Sequence, residues 1–159
     1  GARTANEEMC AVGLRSLSWL MELQRDGDGY FAPIGSRGFY VRGEARAWFD
    51  QQPVEANATI SACLEASRLT GDPVWLQHAQ RAFDWFLGQN TLRAPLYEAR
   101  TGGCRDGLHE DRVNENQGAE STVSYLLGLL ELRARRAAAK YLAPRPGEDR
   151  RVVQAGVSS

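Results

Sequence analysis

Three polar strings hold the residue types from which acid–base or hydroxyl-binding chemistry could be built. The first is Phe49-Asp50-Gln51-Gln52-Pro53-Val54-Glu55. Its amides and carboxylates offer donors and acceptors that match sugar hydroxyls. One such residue would be enough to cap the helix that Pro53 opens, and Glu55 would complement that helix's dipole, so capping is the competing reading. The second string is Gly102-Gly103-Cys104-Arg105-Asp106-Gly107-Leu108. Its glycines let backbone approach a ligand, leaving Asp106 as an acid, a base or a hydroxyl acceptor; a tight turn closed by Asp106 would use the same residues. The third is Asn114-Glu115-Asn116-Gln117-Gly118-Ala119-Glu120-Ser121, where Asn116 or Gln117 could cap a helix and Glu120 falls in its first turn. Paired carboxylates are what glycoside chemistry uses, one protonating the leaving oxygen and the other activating water or attacking the anomeric carbon. Glu55 and Asp106 are the candidates for acid and base, with Glu120 in reserve. Asp50, Gln51, Gln52, Asn116 and Gln117 are the candidates for binding substrate.

Other chemistries find less support. Asp26-x-Asp28-Gly29 opens like a calcium loop, but no third ligand or distal glutamate follows at the required spacing. There is no CxxC, no Cys/His ligand spacing, no GxGxxG and no P-loop, so no metal, cofactor or nucleotide is expected. His109 lies beside Asp106 and Glu110 and could assist them. Tyr30, Phe31, Phe39, Tyr40, Trp48 and Tyr97 are spread through the same loops. They could stack on sugar faces, although such aromatics more often pack a loop onto its scaffold.

Four helices must position these strings. The first is expected from a capping box, Thr4 to Glu7, to about Gln24, with Cys10, Leu14, Leu17 and Met21 as its stripe and Gly13, Trp19 and Leu20 widening it to a second buried side. Tyr30 to Phe49 then loses helical periodicity and reads as a long structured loop with room for a short hairpin. A second helix runs from Pro53 to Thr70 with Ile60, Cys63, Leu64 and Ser67 inward, and Gly71 ends it. Asp72-Pro73 restarts the chain, and Trp75, Ala79, Ala82, Phe83 and Phe86 repeat at helical spacing to about Leu87. These two helices therefore form a tight antiparallel hairpin. Thr91 to Gln117 is irregular. The last helix starts near Gly118, with Ala119, Val123, Leu126, Leu127 and Leu130 as its apolar face. The fold class that follows is all-α, built of αα-hairpins with long Gly-rich loops, with one domain over 1–143 and a disordered tail over 144–159.

Composition sets the outer bounds. The chain has 159 residues, 43% hydrophobic and 25% charged, with a net charge of −1. No global field points to nucleic acid or anionic lipid, and Arg133, Arg135 and Arg136 read as a solvated helix end. No apolar run reaches the ~18 residues of a membrane span. Three cysteines cannot all pair with one another, which favours free thiols in a reducing, cytoplasmic setting. The Asn57-Ala58-Thr59 sequon falls inside a helix and is read as chance.

Residues 53–90 resemble one hairpin of the six-hairpin (α/α) toroid glycosidase superfamily. The resemblance rests on Ala62-Cys63-Leu64-Glu65-Ala66-Ser67-Arg68-Leu69-Thr70-Gly71-Asp72, then Trp75-Leu76, Ala79 and Trp85-Phe86-Leu87-Gly88-Gln89-Asn90. Over about residues 25–132, the three polar strings together resemble the C-terminal toroid domain of bacterial group-1 glycosyltransferases and their stand-alone relatives. The resemblance implies a carbohydrate context, as a glycoside hydrolase-like or transferase-associated domain, and a partial (α/α) toroid. It marks Asp50, Gln51, Gln52, Glu55, Asp106, Asn116, Gln117 and Glu120 as motif positions and assigns none a role. A non-catalytic carbohydrate-binding or helical interaction module is the alternative. A closed toroid needs about twelve helices and more than ~300 residues. Four helices leave apolar faces open, so homodimerisation or a covalently linked transferase domain is expected. The start at Gly1-Ala2 fits a tag scar or an excised piece, and a piece of the toroid is expected to be inactive by itself.

Overall fold

The computed structural model describes residue 1 and residues 5–142. The cap expected at Thr4 and the tail expected over 144–159 lie outside them. Helix α1 spans Glu7–Leu23 and is capped by Asn6, whose side chain accepts from the Met9 amide at 2.9 Å. Helix α2 spans Pro53–Thr70, with Pro53 in its first turn and Gly71 closing it in the left-handed conformation. Asp72 then accepts from the Val74 amide at 2.9 Å and starts α3, Val74–Asp84. A 3-10 turn, Trp85–Leu87, follows. Helix α4 spans Ala119–Leu142.

Side-chain pairs give the helix directions. Met21 meets Cys63 and Gln24 meets Thr59, so α1 runs antiparallel to α2. Phe83 stacks on Tyr125 and Gln80 accepts from Arg136, so α3 runs antiparallel to α4. Ser61 donates to Glu131 at 2.7 Å and Arg135 reaches Ser67 at 3.5 Å. Those contacts advance together along both chains, so α2 and α4 are parallel neighbours. Helix α2 is central, in contact with α1, α3 and α4. Ile60, Cys63, Trp85, Phe86, Leu96 and Leu108 are fully buried around it.

The all-α expectation is not met. The fold is mixed, about half helical, with a two-stranded antiparallel sheet of β1 (Gly107–Leu108) and β2 (Val113–Asn114), and it is not a clear all-α toroid. Isolated bridges add Arg25 to Phe31, Gln51 to Leu108 and Tyr97 to Cys104. The cause lies in the two long connections. Without helical periodicity they satisfy backbone groups by short pairings, most of them within one connection and one, Gln51 with Leu108, between the two.

Two helix faces also differ from expectation. Helix α1 is peripheral, with Met21 buried, Cys10, Leu14 and Leu17 half-buried, and Gly13 and Trp19 exposed. In α4 the expected inner residues Val123, Leu126, Leu127 and Leu130 are exposed. The buried face is Ser121, Ser124, Tyr125, Gly128 and Leu132. Small residues let the helix approach closely: a Cβ on Gly128 would sit 2.8 Å from the Ile60 side chain.

Candidate functional site

Parallel packing of α2 and α4 puts the starts of both helices, and so their polar entry strings, at one end of the molecule. Backbone pairing joins the strings. The Gln51 amide donates to the Leu108 carbonyl at 2.9 Å, and the Leu108 amide donates back at 3.0 Å. Gly107 makes the join possible, with φ at +143° and no room for a Cβ, which would meet the Gln51 carbonyl oxygen at 2.2 Å.

Asp50 sits at this junction. Its carboxylate receives His109 Nδ1 at 2.7 Å and Arg37 Nε at 3.2 Å. Burial pushes the carboxyl up, but the His109 and Arg37 contacts outweigh it and hold the group below its ordinary value. An ionised carboxylate only accepts, so Nδ1 carries a hydrogen and Nε2 remains for another partner. The two side chains are each 23% exposed. Gln52 is exposed and does not cap α2. Glu55, in the first turn of α2, is half-buried, and its Oε2 is buried without a hydrogen-bond partner. Burial raises its pKa. A raised carboxyl pKa is the tendency a general acid needs, and Asp106 is shifted the other way.

The other expected positions are occupied differently. Gln51 is fully buried. Its amide nitrogen donates to the Trp48 carbonyl at 3.1 Å and to Thr91 Oγ1 at 3.0 Å, and its oxygen accepts from Trp85 Nε1 at 2.8 Å. It is therefore a core strut, and the substrate-binding role expected for it is corrected. Asp106 clamps the start of α4, accepting from the Gly118 amide at 2.7 Å, from Ser121 Oγ at 2.5 Å and from the Asn116 side-chain amide. Burial raises its pKa, and the Ser121, Gly118 and Asn116 donors lower it further than burial raises it. With both oxygens engaged, Asp106 serves here as a helix clamp. Asn116 is half of that clamp, and Gln117 accepts from Thr101 Oγ1 at 2.8 Å. Glu120 is exposed on α4.

The structure thus brings Asp50, Gln52 and Glu55 to one loop end and withdraws Gln51 and Asp106 into the scaffold. Sequence reasoning missed His109 as the partner of Asp50, and Arg37 with it. The Asp50–His109 contact spans 59 positions, and no local spacing encodes it. Of the loop aromatics, Phe31 is buried and Tyr97 stacks on Tyr125. Phe39 is 65% exposed, and Trp48 is 44% exposed beneath the Arg46 guanidinium. A cavity of about 600 Å³ beside α3 and one of about 520 Å³ between α1 and α2 are lined by none of the expected site residues. Among the described residues no group of three or more His, Cys, Asp or Glu could hold a metal ion, and no helix is long and apolar enough to cross a membrane. No family model matches the chain, and a search of curated proteins finds no match.

Proposed function

We propose that the loop end shared by α2 and α4 is a carbohydrate-binding surface. The observation that carries this reading is the Gln51–Leu108 pairing, which places the Asp50–His109 pair beside the α2 start that bears Gln52 and Glu55. Gln52 and His109 Nε2 offer hydrogen bonds to a hydroxylated ligand, and Trp48, 44% exposed with the Arg46 guanidinium over one ring face, offers its remaining exposed surface to a sugar ring. The resemblance of the polar strings to a glycosyltransferase-associated domain favours a glycan over other polar ligands. Binding without turnover is preferred because Asp106 is spent on the helix clamp. A catalytic reading is kept for one reason, the raised pKa of Glu55, which would let it protonate a leaving oxygen.

The test is a panel of defined oligosaccharides titrated by NMR and calorimetry. Gln52→Ala and His109→Ala should each weaken binding by about 3–10-fold, the worth of one net hydrogen bond; Gln52→Ala should leave stability unchanged, whereas His109→Ala also removes the contact to Asp50 and lowers it. No shift with any glycan at millimolar concentration would remove the proposal, and so would wild-type affinity in both variants. Product released from a bound glycan, and lost in Glu55→Gln, would move the reading to catalysis.

A further inference from the structure

The outer stripe of α4 has a pattern that the glycan reading does not use. Val123, Leu126, Leu127 and Leu130 are each between 43% and 59% exposed. Ala119 and Glu120 continue the stripe at one end, Arg133 and Ala134 at the other, and all four are exposed. At 3.6 residues per turn these positions share one strip roughly 140° wide. They are also symmetric in sequence about the midpoint between Leu126 and Leu127. Val123 mirrors Leu130, Glu120 mirrors Arg133, and Ala119 mirrors Ala134. A two-fold axis through that midpoint makes two copies of α4 antiparallel and sets every residue level with its mirror on the other copy. Leucine then meets leucine or valine along the centre. At each end Glu120 comes level with Arg133 of the second copy, and the alanines between leave room for the two long side chains to meet.

We propose that the chain forms an antiparallel two-fold dimer through this stripe. A two-fold interface must be self-complementary, and the residue and charge pattern of this stripe is. An apolar patch of this kind on a soluble chain marks an interaction surface. The stripe is about 22 Å long at 1.5 Å per residue. A helix pair of that length covers less than the ~800 Å² per partner of a standard interface, so the association is weak and concentration-dependent.

Sedimentation velocity over concentrations from about 1 µM to 500 µM should show a monomer–dimer equilibrium. Leu127→Glu should abolish the dimer with unchanged circular dichroism and, at concentrations low enough for the wild type to be monomeric, an unchanged melting temperature. For register, Cys10→Ser removes the partly exposed thiol, while Cys63 and Cys104 are buried. In that background Leu127→Cys lies near the axis and should cross-link to its own copy under mild oxidation. Ala137→Cys should not, because it comes level with Asn116 of the second copy. A monomer at every concentration would overturn the proposal and leave the stripe to a different partner. A dimer that survives Leu127→Glu would overturn it too, as would cross-linking at 137 as fast as at 127.

Discussion

Asp106 and Glu55 both stand near the first turn of a helix, and their surroundings push them in opposite directions. Three donors converge on Asp106 and lower its pKa below the unfolded value. A depressed carboxyl contributes stability that is present above its unfolded pKa and lost as pH falls through the folded one. Asp106→Ala should therefore cost about 2–4 kcal/mol in urea denaturation at neutral pH, from the lost cap and charged hydrogen bonds, and the difference from wild type should shrink in acid. Glu55 is the converse case. Burial raises its pKa and its Oε2 has no partner, so the protonated form suits the fold. Its contribution is present below the unfolded pKa and declines as pH rises through the folded value. Glu55→Gln should raise the melting temperature at pH 8 relative to wild type and have little effect at pH 4. Equal effects at both pH values would show that the Glu55 carboxyl is not held against ionisation. The sequence offered these two acids as equivalents. What separates them, Ser121 donating to Asp106 across 15 positions against a buried Glu55 oxygen with no donor, is tertiary.

Helix α2 and the α2–α3 hairpin were legible because each signal was local and redundant. Pro53 opens α2, Gly71 closes it, and Asp72 starts α3, while Ile60, Cys63, Leu64 and Ser67 repeat at helical spacing and are all buried. In α4 the boundary was legible and the facing was not. Periodicity finds the apolar stripe of a helix, and a reader assumes that the stripe faces the core. Here the core face mixes two serines and a glycine that permit close approach with Tyr125 and Leu132, and the longer apolar stripe faces outward. The small sheet was illegible for a different reason. Its strands are two residues each, and the pairing of Leu108 with both Val113 and Gln51 is set by contacts across loops. Gly107→Ala tests how much that junction matters. The added Cβ would collide with the Gln51 carbonyl and require an unfavourable φ, and a cost of roughly 2–4 kcal/mol by denaturation is expected.

At the scale of the whole molecule, α2 is flanked by three helices while α1 and α4 each keep an open side. Local opening is easiest where apolar contacts are fewest. Amide hydrogen exchange should therefore be slowest in α2 and fastest in α1, and protection in α1 equal to that of α2 would contradict this hierarchy. Gln51 gives the same centre a second tie. One side chain links Trp48, Thr91 and the Trp85 indole, while its backbone holds Leu108. Glutamine suits that post because its oxygen faces an N–H and its nitrogen faces two oxygens. Glutamate would turn a charge toward a carbonyl, and a phenylalanine at 85 would strand the amide oxygen in a dry interior. Evolution can then revise the two positions jointly far more easily than singly, so sequence drift among relatives should leave a correlated pair at 51 and 85.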